Sequence, residues 1–526
     1  MSRSGRDVGF HPLEGIGGGG PGNRCAATAR RTPSLDPLVG TAMTSLIPLT
    51  VSVAAPEALS ELPTPARARV DPADVVVPDG YRVEVVLVGL SMPCGMGFAD
   101  DGTLFVLEGG STWPTRPYLP ARILRLDPTG HLDVVSEETL GGPRHVAVHD
   151  GALLVSCKGG RHARIDRIDL ATGDRQVVID GLPNGGWHEP GGPVFGPDGL
   201  MYFAQGSVSQ QGVMLPQGFQ VDVARHIGVH DVPGEDVELT GNNVQSYDPT
   251  GPYPYLVETG PFKPFGTPAR RGEVVRGELK CSSGLWRAQP DGSEMELVAW
   301  GLRNPYGMAF GEDGELYVSD NDFEETGDRA IRDDPDRIWR IDAARTPHGS
   351  IDRPAWYGFP DICGDGLPAW HESHLPRRGR PAEPLLADPP PWAGPAVFLE
   401  KPHSAMTGLD VSRSDAFGHR GRLFVCEWGT LAPMNSPDPR DLEHGFRVLT
   451  VDPADGSSEP FLRNARPGPA SALGTGGVER PVDAKFAPDG SLYVLDFGVS
   501  RVLEKTQMSY GHTGVLWRVV RDGSGS

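Results

Sequence analysis

A short unit recurs six times along this chain, and that repetition constrains the fold more than any other feature. Its first piece is a turn glycine followed by a short apolar run: DDGTLFVLEGG from Asp100, HDGALLVSCKGG from His149 and PDGLMYFAQGS from Pro197. It returns as EDGELYVSDND from Glu312, HRGRLFVCEWG from His419 and PDGSLYVLDFG from Pro488. The turn glycines Gly102, Gly151, Gly199, Gly314, Gly421 and Gly490 are spaced 49, 48, 115, 107 and 69 residues apart. A second piece follows each first one, as in ARILRLDPTG from Ala121 and DRIWRIDAART from Asp336. A third precedes each glycine turn, as in CGMGFAD, YGMAFGED and VDAKFAPD. Strand, tight turn, strand, linker and strand make a β-meander. Six tandem copies occupy residues from about 85 to 522.

Six meanders in one chain point to an all-β fold, a six-bladed β-propeller. Runs such as LLVSC and LYVL are apolar nearly throughout because each sheet is covered by neighbours on both faces, and radial repetition leaves only short, protected edges. The length agrees: 526 residues exceed what one compact core holds, about 250–300. Gly (70) and Pro (52) together exceed the usual share, which favours turns over helices. Residues 71–522 are assigned to the propeller. Its excess length falls in two loop insertions, at about 208–280 and 343–400, both poor in strand pattern. Long loops of this kind commonly serve as lids or binding loops. Residues 1–70 carry too little apolar periodicity to fold alone and are expected to be a disordered tail.

The formal charge of −21 argues against nucleic-acid binding, which needs a basic face. No run of 18 apolar residues exists, so no membrane span is expected. The only candidate export segment, Leu46 to Ala55, lies well after Arg30 and Arg31 and is not a convincing signal peptide. Six cysteines without a CxxC pair spell out neither a zinc cage nor a haem attachment, and buried free thiols are expected.

In a propeller, the residues leading into each inner strand surround the mouth of the central channel. Those lead-ins include Arg144-His145, Trp187-His188-Glu189, Arg303-Asn304, Lys401-Pro402-His403 and Arg480. Imidazoles and guanidinium groups therefore converge on an otherwise acidic protein. Such a pocket suits an anionic ligand, or a carbonyl that develops negative charge. His188 is the candidate base, and Arg303 with Asn304 offers a fork-shaped cation beside an amide. The acidic stretch SDNDFEETGDR (Ser319 to Arg329), with Asp333, Asp334 and Asp336, either holds a hard cation or is simply a solvated loop; it lacks EF-hand spacing.

HEPGGPVFGPDGLMYFAQG, GLRNPYGMAFGEDGELYVSDND, WYGFPDICGDG and RPVDAKFAPDGSLYVLDFG together resemble the glucose/sorbosone dehydrogenase family over about residues 75–522. That resemblance implies a sugar-oxidising enzyme using pyrroloquinoline quinone and calcium, working outside the cytoplasm and passing electrons to an external acceptor. It implies that His188 takes the proton of a sugar hydroxyl as hydride passes to the quinone, and that Arg303 and Asn304 hold the cofactor carbonyls. Arg480 matches a cofactor-carboxylate arginine, and Lys401 is placed in the same pocket. Asp322 and Phe323 fall where backbone carbonyls hold calcium. Three positions depart from the family: Ser207 replaces the aspartate that orients the base, Gly429 falls where a lysine is expected, and Val478 replaces a second arginine. Each lost charged contact weakens the grip on a tricarboxylate by roughly 1.5–3 kcal/mol. Two alternatives stay open on the residues alone, a non-catalytic ligand-binding propeller and a calcium-dependent lactonase-type hydrolase.

Overall fold

Six sheets, each with four antiparallel blade strands and three of them extended by a short fifth strand, stand around one axis, which is the predicted six-bladed propeller. A computed structural model of the chain describes residues 51–52 and 69–523, except 110–114, 117–119, 137–139, 160–161, 187, 189, 217–227, 249–254, 342–352 and 504–505. Most of the predicted tail and export segment lies outside the described residues. The inner strands are Gly95–Phe98, Pro143–His149, Pro190–Phe195, Pro305–Phe310, Met406–Val411 and Pro481–Phe486, each adjacent to the next, with the last packing on the first. Met96 N–H donates to Asp483 Oδ2 at 3.0 Å across that closing seam.

The sequence repeats map onto the three inner strands of each blade. Every residue of the second strands Leu104–Glu108, Ala152–Cys157, Met201–Gln205, Leu316–Asp320 and Leu423–Glu427 is buried, as sheets covered on both faces require. The six turn glycines all have positive φ, from 68° to 87°. At Gly151, Gly199, Gly314 and Gly421 a Cβ would meet nothing within 4 Å, so backbone handedness, rather than space, selects glycine there.

The fourth strands carry no repeated signature. The last blade takes its fourth strand, Tyr81–Leu90, from the N-terminal end of the ring, paired with Gly514–Arg521. The blade thus joins the two ends of the propeller sequence. The insertions are also less strand-poor than expected. Residues 208–280 contain two short antiparallel pairs, Val244–Tyr247 with Leu256–Thr259 and, enclosing it in sequence, Val237–Glu238 with Val274–Val275. Within 343–400, Phe398–Glu400 completes the fourth blade and Ala355–Trp356 adds a parallel strand to the third. The five described cysteines are buried free thiols. No helix among the described residues is long and apolar enough to cross a membrane.

Candidate functional site

The lead-ins of five blades meet at one mouth of the channel. Cys94, Arg144, His188, Arg303, Asn304 and His403 line a common cavity of about 180 Å³ there. Asp322 and Glu324 of the acidic stretch join them, with an apolar wall of Tyr306, Leu431, Trp428, Val482 and Phe497.

Ser207 brings His188 and Arg303 together. Its N–H donates to the Arg303 carbonyl at 2.8 Å. Its own carbonyl and hydroxyl oxygens lie 2.9 and 2.7 Å from His188 Nδ1. The preceding Gly206 permits this approach, because a Cβ there would sit 2.5 Å from His188 Cβ. The Ser207 hydroxyl donates its proton to Ser209 O at 2.7 Å, so both Ser207 oxygens face Nδ1 as acceptors. Nδ1 therefore carries the ring proton and Nε2 the basic lone pair. Burial, and then the Arg303 charge, hold the imidazole well below its usual pKa, while hydrogen bonds with Ser207 and the Gln210 side chain oppose them. The His188 ring is neutral at neutral pH.

Arg303 is fixed on its far side by Gln210. Nε donates to the Gln210 carbonyl at 3.0 Å and Nη2 to the Gln210 side-chain oxygen, which leaves Nη1 without a partner among the described residues. The guanidinium lies 5.8 Å from the Phe323 ring centre. Below it, Asp320 at the end of Leu316–Asp320 accepts the Arg303 N–H at 3.3 Å and the Asn304 N–H at 2.5 Å. Asn304 Nδ2 donates to Asn321 Oδ1 at 2.7 Å.

The acidic stretch divides by role. Asp334 accepts the N–H groups of Phe323 and Gly364, and Asp336 those of Asp322 and Ala405. Both are buried and committed to the scaffold, whereas Asp333 is exposed. Asp322 faces His403, whose Nδ1 lies 2.5 Å from Oδ2, outside the angle of a straight hydrogen bond. Burial works against both charges. The pairing prevails, bringing Asp322 below the usual carboxylate range and His403 up to about 9. Glu324 has no such partner: burial raises its pKa against the pull of Arg303.

Two predicted cofactor residues, Arg480 and Lys401, do not line this pocket, nor does Phe323, whose side chain packs with Ile331 and Phe359. The Arg480 guanidinium is spent on the carbonyls of Trp428, Gly429 and Thr430, with Nη1 3.1–3.3 Å from each. It lies between the Trp428 and Phe446 rings, 3.9 and 4.9 Å from their centres. Burial lowers its pKa to about 9. Lys401 is exposed and lines a different cavity. Gly429 leaves no room for a lysine, since a Cβ would lie 2.5 Å from Phe446, and Val478 belongs to the apolar core. Conversely, Gln210 and Asn435 line the pocket without having been singled out, and Glu324 does so from within the acidic stretch. Asn435 is buried and its amide oxygen has no partner among the described residues. The one sequence signal for Gln210 is its place at the start of the first insertion, three residues after the end of AQGS.

No protein-family model matches the chain, and no curated protein sequence does. Solved structures do. The holo form of the pyranose dehydrogenase PQQ domain from Coprinopsis cinerea aligns with TM-score 0.50 at 16% identity, over 85% of this chain and 97% of that one. The calcium structure of a Trichoderma reesei carbohydrate-active enzyme of family AA12 aligns with TM-score 0.51 at 13% identity, over 86% and 98%. The PQQ-bound aldose sugar dehydrogenase from Streptomyces coelicolor aligns with TM-score 0.45 at 15% identity, over 85% and 100%. This chain has the fold of the PQQ-dependent sugar dehydrogenases.

The pocket meets the two implied groups unequally. The carbonyl oxygens of Asp322 and Phe323 accept no hydrogen bond from described residues, as a cation held by main-chain oxygens requires. Among the described residues, no three His, Cys, Asp or Glu side chains are grouped to hold a metal ion. Arg303 Nη1 and the Asn304 amide fit the paired carbonyls of a quinone ring. Anchorage for the three carboxylates is sparse, because Lys401, Arg480, Gly429 and Val478 contribute nothing to this cavity.

Proposed function

We propose that the chain is a sugar-type dehydrogenase that oxidises a hydroxyl of a small polyhydroxylated substrate. One observation carries this reading: a neutral, buried histidine, held at Nδ1 by Ser207 and hydrogen-bonded to the Gln210 side chain, shares a cavity with a guanidinium that keeps one donor unused. His188 Nε2 takes the hydroxyl proton, and Ser207 holds the ring in the tautomer that leaves Nε2 basic. Arg303 Nη1 and Asn304 hold an oxygen that gains negative charge. Glu324 and Asn435 supply acceptors for further hydroxyls, and the wall of Trp428, Tyr306 and Phe497 suits the apolar face of a sugar ring. A quinone bound at Arg303 and Asn304, with calcium at the Asp322 and Phe323 carbonyls, supplies the hydride acceptor. With few carboxylate anchors, the chain is expected to hold that quinone less tightly than a site with a full cationic set. The test is loading of the purified protein with calcium and the quinone, followed by dye reduction against a panel of aldoses. Absence of both quinone retention at micromolar concentration and dye reduction overturns the reading.

The second reading is a non-catalytic binding propeller, and the commitment of Arg480 to loop carbonyls favours it. Under that reading a sugar binds equally well to the protein and to His188→Gln, and neither turns it over. The hydrolase alternative needs several oxygen-bearing side chains around a metal; Asn304, Asn321, Asp322, Glu324 and Asn435 line the cavity, but among the described residues no three His, Cys, Asp or Glu side chains are grouped to hold one.

A further inference from the structure

The cavity that Lys401 lines is a second site, distinct from the first in every lining residue. It lies on the fifth blade, holds about 300 Å³, and is walled by Lys401, Arg440, His444, Arg447, Arg463 and Arg466. A wall of this charge is unexpected on a chain with a formal charge of −21. Two of the cations are already neutralised: Arg440 pairs with Asp438, and Arg447 with Glu427 at 2.6 Å and Glu400 at 3.4 Å. Lys401, Arg463 and Arg466 have no carboxylate within 4.0 Å among the described residues. Glu443 is the only acid in the lining, and it is exposed. Like charges around one concavity repel: among the described residues Arg463 and Arg466 donate only to backbone carbonyls, of Asn464 at 3.0 Å and Leu473 at 3.4 Å, and Lys401 feels the Glu427 carboxylate only beyond ion-pair distance.

The backbone of the wall points the same way. Gly445 and Phe446 both have positive φ, 85° and 61°, and their N–H groups donate to no described atom. Successive amides with unusual backbone angles commonly cradle anions. His444 Nδ1 lies 2.9 Å from the Pro402 carbonyl, which fixes the ring and leaves Nε2 without a partner among the described residues. Guanidinium groups without a carboxylate partner, an ammonium and unused amides dominate the wall, and its acceptors are Glu443, Ser404, Asn464 and His444 Nε2. That chemistry recognises an oxyanion bearing several negative charges, since guanidinium forks bind phosphate oxygens in pairs. The cavity is of small-molecule size rather than a flat surface patch.

We infer that this cavity binds a small multivalent oxyanion of the phosphate type, independently of the sugar pocket. The test uses the full chain and inorganic pyrophosphate as the probe, measured by titration calorimetry at low and at physiological salt. Saturable one-to-one binding that weakens as salt rises is expected. Arg463→Gln with Arg466→Gln, both exposed positions, is expected to weaken it about tenfold or more with an unchanged melting temperature. Lys401→Gln gives a second, independent loss, and His188→Gln leaves binding as it was. No saturable binding at low salt overturns the inference, and so does a double variant that binds as tightly as the parent protein. Loss of pyrophosphate binding in His188→Gln instead places the anion in the first pocket and overturns it as well.

Discussion

At the scale of single residues, the site rests on two histidines driven in opposite directions. His188 is buried without a carboxylate, so its folded pKa lies well below the ordinary 6.5. Folding therefore favours the neutral ring. This contribution to stability is present above pH 6.5 and is lost as pH falls below it. Activity is expected to stay level through neutral pH and to fall only on the acid side, as the pH profile of kcat will read. His188→Gln is expected to cost about 10²–10⁴-fold in kcat with little change in fold. Ser207→Asp places a carboxylate against Nδ1, raises the pKa of His188, and moves that acid limb to higher pH. His403 behaves oppositely. Its folded pKa of about 9 exceeds 6.5 because of Asp322, so the stabilisation is complete below pH 6.5 and lost as pH rises through about 9. Melting temperatures measured from pH 6 to 10 should therefore fall more steeply for the parent protein than for a variant carrying His403→Gln and Asp322→Asn.

Among elements, one device positions the mouth of the channel repeatedly. The acid closing a second strand accepts N–H groups of the lead-in that follows the previous blade. Glu108 takes Ser91 at 2.6 Å, Asp320 takes Arg303 and Asn304, and Asp496 takes Glu479 and Arg480, each at 2.9 Å. Asp320→Ala would leave those amides and part of the Arg337 interaction unmet, at about 3 kcal/mol or more, and would loosen Arg303 in the pocket. Calorimetric unfolding and substrate KM read the two effects. Arg480 belongs with these positioning groups. Arg480→Met is expected to lower the melting temperature by removing three carbonyl partners, while leaving sugar affinity unchanged. These acids are visible in the sequence as the ends of LFVLE, LYVSD and LYVLD. Their bonds are not, because a carboxylate ending a strand reads alike whether it meets a metal, a substrate or a backbone amide.

For the whole molecule, closure of the ring is the decisive event. Tyr81–Leu90 supplies the outer strand of the blade built from residues 481–521, so its deletion exposes a strand edge and opens the seam. A chain starting after Leu90 is expected to lose its cooperative thermal transition. The sequence by itself determined the blade count, the three inner strands of each blade and the six turns, because a tight turn with positive φ needs glycine and a strand covered on both faces needs an unbroken apolar run. It also brought His188, Arg303 and Asn304 forward, since lead-ins to inner strands must border the axis. Only the tertiary structure decided which lead-in side chains face the cavity. Arg480 and Lys401 sit where the pattern puts them, yet one guanidinium is drawn to three loop carbonyls and the ammonium faces another cavity. Likewise Gln210 reaches Arg303 from an insertion with no repeat. Side-chain direction depends on partners distant along the chain, and a local pattern does not encode them.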